Sequence, residues 1–206
     1  MSSIQQDEHI YCVILTGGES SRMKTHKALL RFTEHENFLQ HIIAVYQSAG
    51  VSNIIVVKNK NINLPAKLGN LRNISIINND APEKGRFYSV QSGLQYTRSA
   101  HFCFLQNIDN PFVNEDLLRQ LFSQRFQADY ITPQYNNRGG HPILISAPVI
   151  ESIVSVPESA VTLRDFLLPY SRYRMTTDDS DCLININNAA EYETTLMTHL
   201  NTITQQ

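Results

Sequence analysis

VILTGGESSRMKTHKALL, residues 13–30, decides how this chain is read. An apolar run stops at two glycines; two serines, an arginine and, five positions past it, a lysine follow. IYCVIL at 10–15 is short, continuous and apolar, which predicts a strand buried on both faces. In doubly wound sheets ligands bind outside the carboxyl ends of the strands, so the loop after this run is the leading candidate for a site. Gly17 and Gly18 let backbone N–H groups approach an anion closely. Ser20 and Ser21 add hydroxyl donors, Arg22 a planar fork suited to phosphate oxygens, and Lys27 a mobile point charge. Together they make a generic polyphosphate cradle. Neither common cradle pattern fits. G-x-x-x-x-G-K-[ST] fails because Arg22 and Met23 stand where its second glycine should be, and G-x-G-x-x-G fails at Glu19 and Arg22. On residues alone, a glycine turn leading into a solvated basic helix stays open.

Outward from that stretch, strand and helix patterns alternate. NIIVVK (53–58), NISIIN (73–78), HFCFLQN (101–107), ADYITPQ (128–134), HPILIS (141–146) and CLININ (182–187) read as strands. Residues 37–49 read as a helix, with Asn37 as its cap and Gly50 as its stop. Residues 87–97 and 114–124 read as helices too, as do stretches near 147–155 and 161–169, and Asn188 with Glu191 resembles a capping box for a last helix to about 201. The alternation predicts an α/β fold: three αβα layers around a mostly parallel, Rossmann-like doubly wound sheet. PQYNNRGGHP (133–142) reads as a loop at the sheet's edge, and TTDDSD (176–181) as a solvated turn. No repeat or linker interrupts the pattern, so one domain over 1–206 is expected.

Composition narrows the classes. With 206 residues, 42% apolar content and a net charge of −2, nothing advertises nucleic acid, and the basic residues form no stripe with interleaved aromatics. No run approaches the ~18 apolar residues of a membrane helix, and the polar, acidic start is wrong for a secretory signal. The three cysteines, Cys12, Cys103 and Cys182, lie in apolar segments, as buried thiols of a reducing compartment would. A cytoplasmic protein is the expectation, with no nucleic-acid or membrane partner.

LTGGESSRMKTHKALL resembles the signature L-A-G-G-x-S-x-R-M-G-x-x-K-x-L-L of the molybdenum-cofactor cytidylyl- and guanylyltransferases, and more broadly of nucleotidyltransferases with the nucleotide-diphospho-sugar transferase fold. Thr16 and Lys24 depart from it. EKGRFYSVQSGL (83–94) is similar to the family's G-x-x-x-S-x-x-x-G-L helix, through Gly85, Ser89, Gly93 and Leu94. FLQNIDNPF (104–112) carries a D-x-P motif in Asp109 and Pro111, NRGGHPILIS (137–146) resembles the G-H-P segment of the cytidylyl branch, and LININNAAEYE (183–193) resembles N-I-N-T-P-E-D-Y.

The resemblance implies transfer of a nucleoside monophosphate from an NTP, CTP favoured and GTP possible, to a small phosphorylated acceptor, molybdopterin favoured, with release of pyrophosphate. It implies catalytic roles for Arg22, Lys27 and Asp109, and nucleotide contacts from Leu15, Thr16, Gly17, Gly18, Ser20, Asp80, Ser89 and Gly93. Mg²⁺ is the implied cofactor, on Asp109 and Asn187, with Arg138 and His141 at the acceptor. The nucleotide-binding half would span about 10–112, the acceptor-binding half about 113–206, in a monomer or weak homodimer. The residues themselves leave alternatives. Asp109 could only open a turn, Asp80 cap one with Pro82, Ser89 simply sit on a helix, and His141 begin a strand. A GTP- or sugar-phosphate-dependent transferase is one competing reading. A non-catalytic nucleotide-binding or regulatory module is another, suggested by Lys24, by Asn185 and Asn187 in place of aspartates, and by Asn188-Ala189 in place of Thr-Pro.

Overall fold

The computed structural model describes residues 9–16, 25–64, 73–157 and 161–203. Among them, eight strands form one sheet: β1 (Ile10–Leu15), β2 (Asn53–Asn59), β3 (Ile74–Asn79), β4 (Phe102–Asn107), β5 (Tyr130–Tyr135), β6 (Arg138–Gly139), β7 (Ile143–Ser146) and β8 (Arg172–Thr176). Their order is β3-β2-β1-β4-β7-β5-β6, with β8 also on β5. The β3-β2-β1-β4 half is parallel, β7 is antiparallel to both β4 and β5, and β8 runs parallel to β5.

The central strands are continuous apolar runs because both their faces are covered. Alternate residues enter two cores. Ile14, Val56 and Phe104 face one, beneath α1 (Phe38–Ser48) and α3 (Glu115–Ser123). Val13, Val57 and Leu105 face the other, beneath α2 (Gly85–Leu94) and α4 (Ala147–Ser155). Asn37 caps α1 in a full capping box with Gln40, and Gly50 ends it at φ 98°. Gly93 marks how closely α2 lies on the sheet: a Cβ there would stand 2.6 Å from Val13 and 2.8 Å from Val57. The cysteines are free and buried, as the sequence suggests.

Four expectations are corrected. CLININ is not a strand: residues 180–183 make a 3₁₀ turn and the chain then runs extended without joining the sheet. Its hydrogen bonds go to loops instead. Ile186 N–H donates to the Asp109 carbonyl (2.7 Å), and the Cys182 carbonyl accepts from His141 N–H (2.9 Å). The loop at 133–142 is mostly a hairpin, in which Asn136 and Asn137 take the left-handed conformation at φ 46° and 62° between β5 and β6. Strand β8 lies where no strand was expected. The helix read at 161–169 is the single turn α5 (Leu163–Phe166), and the last helix, α6, spans Ala189–Ile203.

Candidate active site

The site forms where β1 and β4 end side by side. Ile108 N–H donates to the Leu15 carbonyl (3.2 Å), so the two carboxyl ends stay in register. Thr16 is fully buried, and both its N–H and its hydroxyl donate to the Val57 carbonyl (2.9 and 3.1 Å). That pairing explains how a threonine fits where the signature has alanine. Gly17, Gly18, Ser20, Arg22 and Lys24 lie outside the described residues.

Asp109 is fixed by its neighbours. Buried Gln106 donates to the carbonyls of Asn107 and Asn110 (both 2.8 Å) and accepts from the Tyr46 hydroxyl (3.0 Å). Asn110 in turn donates to the carbonyls of Asp181 and Ile184. These bonds tie the Asp109 loop to the segment before α6, which brings Asn187 to the site. Glu191 secures Asn187 from the other side, accepting its N–H at 2.7 Å.

Lys27 opens a 3₁₀ turn whose Ala28 is fully buried. Its Nζ lies 3.8 Å from Asp109 Oδ2 and 3.4 Å from Asn187 Oδ1. The sequence suggests a lysine projecting into solvent or ligand; its side chain is instead 15% exposed and meets the carboxylate. Asp109 Oδ1 is buried and accepts no hydrogen bond. An orphaned carboxylate oxygen beside an amide oxygen is a hard-oxygen donor set of the kind Mg²⁺ takes, with phosphate oxygens completing its shell. Asp109 and Asn187 therefore fit the ion. No cluster of three or more His, Cys, Asp or Glu occurs among the described residues, so a site built wholly from such side chains is not what they offer.

Two further residues belong here that sequence reasoning missed. Arg86 donates to Asn107 Oδ1, and the Asn107 amide nitrogen lies 3.3–3.4 Å from the His141 ring nitrogens. Partial enclosure lowers the Arg86 pKa, while the Asp109 charge opposes that. Burial first, then Arg86, pushes the His141 pKa down to about 4, with Asp109 opposing. The imidazole is therefore neutral near pH 7. Arg86 stands directly after Gly85, whose φ of 83° turns the chain into α2, and Asn107 is the polar end of a buried strand. The polar end of that apolar run was a signal available in the sequence; the turn at Gly85 was not.

The other expected residues are placed differently. Ser89 is buried and accepts from Asn79 Nδ2 (2.8 Å), and Gly93 packs on the sheet, so each has a structural role where it stands. Leu15 is likewise buried. Asp80 is exposed, beside a hollow lined by Tyr88, Gln91 and Val154. Arg138 is exposed on the β5–β6 hairpin; Gly139, Gly140 and His141 line a cleft of about 800 Å³, where Arg86 also lies. Gly140 is there because a Cβ would stand 2.5 Å from the Cys182 carbonyl oxygen.

Residues 12–173 match the family described as the MobA-like NTP transferase domain. This chain belongs to that family. As a MobA-like transferase, it is similar to the molybdenum cofactor cytidylyltransferase of Escherichia coli K12, with 28% identity over 90% of this chain and 94% of that one. A probable molybdenum cofactor guanylyltransferase of Flavobacterium johnsoniae is 26% identical over 89% of this chain and 95% of its own. Among solved structures, a Mycobacterium tuberculosis H37Rv protein superposes with a TM-score of 0.77 at 19% identity, over 96% of this chain and 100% of that one. A manganese complex of that protein superposes at 0.66, with 16% identity over 91% and 98% of the two chains. The MobA-like fold and the nucleotidyltransferase class are thus established together. No helix among the described residues is long and apolar enough to cross a membrane.

Proposed function

We propose that this nucleotidyltransferase moves a cytidylyl group from CTP to the phosphate of molybdopterin, in the cytoplasm and as a monomer or weak homodimer. The observation that carries the reading is the meeting of the Lys27 ammonium, the Asp109 carboxylate and the Asn187 amide at the ends of β1 and β4, with Arg86 and His141 beside them. Similarity to the E. coli cytidylyltransferase and the Gly139-Gly140-His141-Pro142 segment support CTP.

In the reaction an acceptor phosphate oxygen attacks the α-phosphorus, a P–O bond forms, and the bond to the β-phosphate oxygen breaks to release pyrophosphate. The nucleophile is already an anion, so no strong base is needed. What the protein must supply is alignment of two negative partners and charge at the leaving group. Lys27 would neutralise that charge, and Arg22, Gly17, Gly18 and Ser20 would grip the triphosphate. Asp109 and Asn187 would hold Mg²⁺, which supplies Lewis-acid stabilisation of the phosphoryl oxygens when bound. Arg86, tied to Asn107, would meet the acceptor phosphate. His141 stays neutral and packs the same wall, so it adds no positive charge to repel Lys27 or the metal. Leu15 and Thr16 lead into the nucleotide loop, Ser89 and Gly93 seat α2 on the sheet, and Asp80 would contact the base.

The test incubates the protein with each of four NTPs, Mg²⁺ and molybdopterin and measures pyrophosphate together with the dinucleotide product. CTP is expected to be consumed fastest. GTP as the preferred donor would overturn the base assignment, in keeping with the guanylyltransferase relative. Binding of an NTP with no pyrophosphate from any pairing would leave a nucleotide-binding module instead.

A further inference from the structure

The cleft lined by Gly139, Gly140 and His141 carries more positive charge than the transfer chemistry uses. Lys84 and Arg86 line it from the start of α2, Arg164 from α5 and Arg172 from β8, while no Asp or Glu does so among the described residues. The arginines fall into two groups. Arg86 sits with His141 in the field of Asp109. Arg172 has other arginines, Arg174 and Arg164, as its charged neighbours, with Tyr130 the group that favours its charge.

Arg172 is held in place. Its Nε and Nη2 both donate to Thr132 Oγ1, at 3.0 and 2.9 Å. The guanidinium lies against Gly139, where a Cβ would stand 2.6 Å from Nη2. The second glycine of the Gly-Gly-His-Pro segment makes room for a backbone carbonyl; the first makes room for this guanidinium. The hydroxyl is neutral, so Thr132 itself does not offset the charge. Asp129, which precedes Tyr130, accepts from the Ser171 N–H and hydroxyl, and Asp165, which follows Arg164, from the Thr162 hydroxyl. Gathered arginines repel one another, and an oxyanion between them relieves that repulsion while matching their fork geometry.

We propose that Arg164 and Arg172 form a second anion subsite in the cleft, so that the acceptor carries, besides its attacking phosphate, another anionic group at its far end. The inference rests on the transfer reading above and deepens it by naming the acceptor class. An acceptor ending in a neutral sugar or alcohol would leave the pair unused.

The probes are 1,6-hexanediol monophosphate and bisphosphate, titrated calorimetrically into the full chain. The bisphosphate is expected to bind about tenfold more tightly than the monophosphate, the worth of one charge-assisted contact pair. Arg164→Gln with Arg172→Gln should erase that preference, and Arg172→Lys should retain part of it. Should the double variant fail to fold, Arg164→Gln alone, at an exposed position, must cut the preference. Absence of any preference in the parent, or its survival in the double variant, overturns the subsite. Failure of the transfer reading is separate: a preference erased as expected, in a protein that releases no pyrophosphate, keeps the subsite and removes the reaction.

Discussion

His141 gives a quantitative test of how the site's charges are set. Its ring is partly buried against Asn107, and burial first, then Arg86, brings its pKa to about 4 against 6.5 for a free side chain, with Asp109 opposing. Between those two values the unfolded chain binds a proton that the folded chain rejects. Because the folded pKa is the depressed one, stability rises with pH across the window. It is complete above about 6.5 and lost as pH falls toward 4. The steepest slope is about 1.4 kcal/mol per pH unit, and the loss from pH 7 to pH 5 works out at about 2 kcal/mol. His141→Gln removes this dependence. Urea unfolding of parent and variant at steps from about pH 5 to 7.5 should therefore give a stability difference that shrinks by that amount on acidification. Comparing the two cancels other titrations, including His41, whose pKa burial also lowers and Glu36 raises. The imidazole NMR signal missing from the variant reports the pKa directly. Arg86→Met should raise it and Asp109→Asn lower it. Parallel stability curves, or a signal titrating near 6.5, would show that the ring is solvated and that the assembly of Arg86, Asn107 and His141 is misread.

Three other outcomes are expected. Lys27→Ala should cut turnover about a hundredfold or more while costing only about 1 kcal/mol of stability, because the partly exposed pair with Asp109 contributes little to folding; steady-state kinetics and thermal melts separate the two effects. Asp109→Asn should weaken Mn²⁺ binding about tenfold or more, read by water proton relaxation, since it removes the only charged oxygen donor proposed for the ion. Gly140→Ala should destabilise by about 2–3 kcal/mol in urea, because its Cβ meets a backbone carbonyl at 2.5 Å, whereas Gly93→Ala meets valine methyl groups that can shift and should cost about 1–2 kcal/mol.

What the sequence made legible follows from where each segment's energy lies. The strands around β1 were readable because burial on both faces leaves an unbroken apolar run, and α1 because its cap and stop residues act locally. β8 was not, because within RYRMT only Met175 is buried; its pairing with β5 is tertiary and leaves no period-two pattern in the chain. CLININ misleads for the opposite reason. It has the alternation of a strand, yet the Ile186 N–H is given to the Asp109 carbonyl and the Cys182 carbonyl to His141, so its backbone serves the site and not the sheet. That use of the backbone is what carries Asn187 to within 3.4 Å of Lys27. Lys27 and Asp109 stood out in the sequence because each lies in a local motif. Arg86 and Arg172 did not, because their meaning comes from a glycine beside them: Gly85, whose positive φ turns the chain into the helix bearing Arg86, and Gly139, whose missing side chain admits the guanidinium of Arg172. In this fold the glycines that look like loop punctuation are therefore what determine where the cations of the cleft can stand.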